Sequence, residues 1–163
     1  CGQYQLQRHK GTGSMNVSDD EILAEAIRLV AEGIPVTFPV NGRSMLPFIV
    51  GGRESVVLEK AIAPQVGDIV LAFVEGNRYV IHRILKIDGE SVILMGDGNL
   101  YGVEHCKVTD IKAQATYAVN SKGKRRSLVS RQSRRRASLW CRLRPVRKWL
   151  LLCYRILEKV KAL

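Results

Sequence analysis

Arg78-Tyr79-Val80-Ile81-His82-Arg83-Ile84-Leu85-Lys86-Ile87-Asp88-Gly89-Glu90-Ser91-Val92-Ile93-Leu94-Met95 reads as two strands around a turn. β-Branched residues crowd both arms, and Asp-Gly adopts the left-handed turn conformations that hairpins require. Working outward, segments 36–40, 55–58, 69–74 and 111–119 carry the same strand composition, and Gly76-Asn77 punctuates a second hairpin. No helix-length segment interrupts residues 34–119, which argues against a parallel βαβ sheet. The expected class is mainly β (α+β), with a coiled antiparallel β-body over 34–120.

The flanks differ in pattern. Ser18-Asp19-Asp20-Glu21 is a capping box. It opens a helix over 18–33 with Ile22, Ala26, Leu29 and Val30 on one face and Gly33 as its stop. Residues 1–17 are expected to be a disordered extension, with Met15 read as the natural start. Residues 121–137 are rich in Ser, Arg and Lys and are expected to be a mobile linker. Residues 138–163 are expected to form an amphipathic helical tail. Leu139, Leu143, Val146, Leu150, Cys153, Leu157 and Val160 step by three and four along it, and Pro145 splits it in two.

Charge divides the chain at the same point. Residues 1–120 hold eleven Lys and Arg against fourteen Asp and Glu, whereas residues 121–163 hold fifteen against Glu158 alone. The body is mildly acidic, so an anionic partner would be sought by the tail. Cys1, Cys106, Cys141 and Cys153 show no Cys-x-x-Cys pair and no metal spacing, and free thiols are expected. A leading Cys1 also fits a processed lipoprotein end, a reading that no lipobox supports. No apolar run reaches the ~18 residues of a membrane span.

Three segments carry chemistry in a fixed order. Val40-Asn41-Gly42-Arg43-Ser44-Met45-Leu46-Pro47 sets a serine between a glycine turn and a proline. His82 lies on the strand quoted above, and Met95-Gly96-Asp97-Gly98-Asn99 follows. A serine hydroxyl is a weak nucleophile that needs a base and oxyanion donors, so Ser44 and His82 are the candidate catalytic pair. Gly42, Ser44 and Met45 are the residues from which the turn and the backbone oxyanion donors are expected. Lys86 is a spare base if it shares a strand face with His82, although a solvated strand lysine is the plainer reading. His105 and Cys106, adjacent on a strand, would point to opposite faces and not pair.

Residues 36–119 resemble the signal peptidase I / LexA-like serine peptidases (S24/S26-type), whose signature is Gly-x-Ser-Met-x-Pro. Residues 38–47 are similar to the nucleophile box, and Val66-Gly67-Asp68-Ile69-Val70 to the structural box after it. Val80-Ile81-His82-Arg83-Ile84 resembles the base box in its histidine form, and Gly96-Asp97-Gly98-Asn99 the Gly-Asp-Asn box. The resemblance implies a β-body of that type over 18–120, a Ser44 nucleophile, a His82 base, and neither metal nor cofactor. It also implies acyl transfer through an ester on Ser44. At Gly42, two residues before the serine, the chain follows the LexA-type pattern rather than the hydroxyl donor that signal peptidases often carry, so the oxyanion hole would rest on backbone donors. The chain also lacks an aspartate in residues 100–106, where histidine-type members carry their third residue. Asp97 is grouped with the catalytic pair as the acid that could orient His82; Glu104 could take that role instead and, with Arg83, is otherwise in support; the alternative is a bare dyad. The usual N-terminal membrane anchor is not seen.

The tail is expected to lie on an anionic membrane through Trp140, Arg147, Lys148, Trp149 and Arg155, with rings at headgroup level and cations on lipid phosphate. Docking on the β-body is the competing reading. Arg131 to Arg136 could hold nucleic acid, which is disfavoured because the aromatics sit with leucines on an apolar helix. The expected function is hydrolysis of exported or membrane-proximal precursors at a membrane surface, on the cytoplasmic face; a soluble cytoplasmic protein is the alternative. Rival readings are cleavage of itself or one dedicated partner, a non-catalytic peptide-binding module, and nucleic-acid binding by the tail.

Overall fold

The computed structural model describes residues 4–5 and 19–161. The Ser18 cap and most of the expected N-terminal extension lie outside the described residues. Within them, nine strands form one sheet that is antiparallel apart from its first pair, accompanied by three α-helices.

Helix α1 (Asp19–Ala31) precedes strands β2 (Val36–Pro39), β3 (Glu54–Glu59), β4 (Ile69–Val74), β5 (Arg78–Asp88) and β6 (Ser91–Met95). Then come β7 (Glu104–Lys107), β8 (Ile111–Asn120) and β9 (Arg125–Ser127). Strand β1 (Tyr4–Gln5) lies parallel to β2, so the expectation of disorder fails at these two residues. The sheet order is β1-β2-β3-β8-β4-β5-β6-β7, with β9 also paired to β8. The six expected strands are present to within a residue or so of their expected ends. β7 and β9 are additional, both short and polar in composition.

Strand β4 is buried at five of its six positions, which is why Ile69-Val70-Leu71-Ala72-Phe73-Val74 is apolar without alternation. The Asp88–Ser91 hairpin closes with Gly89 at φ +58°, where glycine is favoured over residues with a side chain. Two cores result. One joins Ala26, Leu29 and Val30 of α1 to Val36, Leu58, Leu71, Ala113 and Ala115. The inward residues of β8 are alanines, and α1 packs against that strand. The other holds Val70, Ala72, Val80, Ile84, Val92 and Leu94, with Cys106 packed against it. His105 is exposed while Cys106 is partly buried, as strand alternation requires.

The expected linker is folded. Strand β9 pairs Arg126 with Ala118, and helix α2 (Arg131–Arg142) follows directly. Ser130 caps α2 by accepting the Ser133 N–H at 3.2 Å. Arg134 holds α2 to the body through Asp68 (2.9 Å) and the Gln65 side chain (2.8 Å). These Arg134 contacts are polar, so they leave no hydrophobic stripe in the sequence. A 3₁₀ turn, Arg144–Val146, contains Pro145 and separates α2 from α3 (Arg147–Lys161). The break therefore falls where Pro145 places it. The helical region begins seven residues earlier than position 138.

Candidate active site

Residues 40–53 form a wide loop between the paired strands β2 and β3, and Ser44 stands on it. Gly42 sits at φ +86°, a conformation that a side chain would disfavour. The loop is anchored from below by Met45 and Ile49, both buried in the first core. Its ends meet closely: a Cβ on Gly51 would lie 2.0 Å from the Gly42 carbonyl oxygen. Glu54 accepts the Val50 N–H at 2.8 Å, and Arg126 of β9 donates to the Phe48 carbonyl at 2.5 Å. The loop is thus pinned at its base, leaving Ser44 half-buried at its rim.

Ser44 and His82 line one cleft of about 690 Å³. Its walls include Phe38, Leu71 and Ile81 of the sheet, Val40 at the start of the loop, Leu23 of α1, and Asn99. His82 is 5% exposed, and its Nδ1 lies 2.9 Å from the Glu104 carboxylate, itself 7% exposed. An ionised carboxylate only accepts, so Nδ1 carries the proton and the basic lone pair falls to Nε2. Arg78 donates to the other Glu104 oxygen at 3.3 Å. Glu104 comes from β7, two strands away from β5 in the sheet order. Curling of the sheet brings it back: the Glu75 N–H, in the β4–β5 turn, donates to the His105 carbonyl at 3.1 Å.

Asp97 does not orient His82. Its carboxylate is held by Arg83, whose Nε and guanidinium nitrogens donate at 2.6–3.1 Å with both side chains buried. Arg83 also donates to the Gly67 carbonyl at 2.7 Å and lies over the Phe48 ring. Three of the four sequence boxes are tied together in this way. The fourth joins through backbone: the Gly98 N–H donates to the Ser44 carbonyl at 2.7 Å. A Cβ on Gly98 would lie 2.4 Å from the Arg43 carbonyl, and one on Gly96 would lie 2.4 Å from that of Ser44. Both glycines are therefore needed for close approach of two chains, not for an unusual φ. Lys86 is exposed and pairs with Asp88 at 2.9 Å. The register shift between Ile84 and Lys86 interrupts the alternation that would have set it beside His82.

The C-terminal arm divides between docking and exposure. Trp140, expected on a membrane, instead donates its Nε1–H to the Asp97 carbonyl at 2.8 Å and meets Phe48 edge-on at 6.2 Å. Arg147, also expected there, is 2% exposed; it donates to the Asn99 carbonyl at 3.1 Å and lies over the Trp140 ring. Burial draws its pKa below the ordinary arginine value. Lys148, Trp149 and Arg155 are exposed. Trp149, Leu152, Cys153, Ile156, Leu157 and Val160 recur at helical spacing along α3, all of them exposed. Among the described residues no helix is long and apolar enough to cross a membrane.

Sequence reasoning did not foresee Arg78, Arg126 or the α1 contribution to the cleft. Each depends on pairings between distant segments for which no local pattern exists. The chain matches no protein-family model and no curated protein.

Proposed function

We propose that the protein is a serine endopeptidase of the signal peptidase / LexA type, acting on peptide segments presented near a membrane surface. The observation that carries this reading is the 2.9 Å contact between Glu104 and Nδ1 of His82 in the cleft that also holds Ser44. A buried carboxylate behind a histidine, with a serine in the same cleft, is the arrangement that activates a hydroxyl.

In this mechanism Ser44 Oγ attacks the scissile carbonyl while His82 Nε2 takes its proton. The backbone N–H of Ser44, on the turn that Gly42 permits, stabilises the oxyanion. The imidazolium is held by Glu104 and gives its proton to the leaving amine, which leaves an ester on Ser44. Water, deprotonated by His82, then attacks that ester and regenerates the hydroxyl. The cleft suits an extended peptide, with apolar walls for small or aliphatic side chains. The exposed stripe of α3, flanked by Lys148 and Arg155, supports contact with an anionic membrane.

The test incubates the protein and its Ser44→Ala and His82→Ala variants with a mixture of precursor peptides, with and without phosphatidylglycerol vesicles. Products are read by mass spectrometry. New termini from the wild type that both variants fail to produce are expected. Identical product lists from all three proteins would end the peptidase reading.

A further inference from the structure

We infer that the recess between the Ser44 loop and helix α3 is a binding site for one anionic phospholipid molecule; the choice of ligand rests on the membrane reading above. The recess has a volume of about 510 Å³ and is separate in its lining from the cleft of Ser44 and His82. Its walls have two chemistries. Leu46 and Val50 of the loop face Leu152 and Ile156 of α3, giving an apolar slot. Arg43, Arg53 and Arg155 also line it, from both sides of the slot. No acidic residue lines the recess.

An apolar slot among guanidinium groups fits a ligand with an aliphatic chain and an anionic head. A free anion would leave the slot unused, and a neutral chain would leave the guanidinium groups of Arg43 and Arg155 without a counter-charge at the slot. Arginine forks match phosphate oxygens in two-point contacts, which favours a phosphodiester head. The slot is also continuous with the outer face of α3. Leu152 and Ile156 belong at once to its wall and to the exposed stripe, at 48% and 53% exposure. A lipid lifted slightly from a bilayer lying against that stripe would enter the slot without leaving apolar surroundings. Its head would then sit against the loop that carries Ser44, beside Arg43 and outside the cleft that His82 lines.

The test titrates the full chain with dihexanoyl-phosphatidylglycerol below its micelle threshold, followed by calorimetry. Dihexanoyl-phosphatidylcholine and inorganic phosphate are the comparison ligands. Tightest binding of phosphatidylglycerol is expected. Arg43→Gln and Arg155→Gln should each weaken it about fivefold, the factor that one cation near lipid phosphate supplies. Arg43→Lys and Arg155→Lys keep the charge but lose the fork and should restore only part of the affinity, and that partial rescue separates loss of the site from a damaged fold. Equal binding of phosphate and phosphatidylglycerol would overturn the lipid assignment, and undiminished binding by both glutamine variants would overturn the site. Flotation on phosphatidylglycerol vesicles keeps the two readings apart. Vesicles that lift wild type and Arg43→Gln alike, with soluble lipid also bound alike, remove the recess and leave α3 as the membrane contact. Vesicles that fail to lift the wild type remove both.

Discussion

Glu104 is the residue on which the candidate chemistry turns. It fixes the imidazole tautomer through Nδ1 and would stabilise the positive charge that forms there during acyl transfer. Glu104→Gln keeps the size but offers an amide, which removes the negative charge and permits the wrong tautomer. The expected outcome is a fall in kcat of about 10²–10⁴-fold with KM nearly unchanged, measured on a peptide identified in the product screen. The thiols give a second prediction at this scale. Burial, reinforced by the Asp110 carboxylate, pushes the Cys106 thiol above its ordinary pKa, so it holds less thiolate near neutral pH. Cys153 is exposed. Iodoacetamide at pH 8 should therefore label Cys153 well before Cys106 when modified peptides are followed by mass spectrometry.

At the scale of elements, the loop that carries Ser44 depends on the loop that carries Asp97. They are pressed together at Gly96 and Gly98 and linked by the Gly98 N–H to the Ser44 carbonyl. Gly98→Ala would place a methyl 2.4 Å from the Arg43 carbonyl oxygen, and that backbone must move. Overpacking of this kind costs about 1–3 kcal/mol. Because displacement falls next to Ser44, the expected result is a loss of hydrolysis larger than the loss of stability would explain. Paired melting curves and initial rates would show it. Parallel declines, in which the folded fraction accounts for the activity, would count against the loop as a positioning device. The pattern Gly-Asp-Gly-Asn was visible in the sequence as a turn. Its work as a spacer between two backbones was not, since that requires knowing which backbone occupies the place where a Cβ would stand.

At the scale of the molecule, the C-terminal arm has two sides with different duties. Trp140 and Arg147 face the body and hold the 97–99 loop through carbonyl oxygens. Trp149 faces outward, 67% exposed. Trp140→Ala should cost about 3 kcal/mol and lower Tm by ~10 °C, with hydrolysis declining as the brace loosens. Trp149→Ala should leave Tm where it is and weaken flotation on phosphatidylglycerol vesicles. If instead Trp149→Ala destabilises and Trp140→Ala does not, the arm faces the other way from the arrangement described here.

Local pattern by itself determined the strands, the two hairpins, the N-terminal helix and the break at Pro145; the pairing of Ser44 with His82 as candidates came from the order of the boxes that resemble the peptidase family. Strand alternation, turn chemistry and proline geometry act between neighbours, so they are written in the chain. The third residue of the site was not. By sequence Asp97 came first, with Glu104 in support, and only the curl of the sheet sets Glu104 beside His82 while Arg83 claims Asp97. Residues 121–137 misled for a related reason. Their helix is held by Arg134 to a buried Asp68 and their strand by pairing to β8, and neither contact leaves an apolar period to read. The same holds for Trp140 and Arg147, whose aromatic and cationic character suits a membrane surface as well as a buried stack. Their place was decided by which partner lay within reach after the sheet closed, a matter of long-range geometry that composition does not encode.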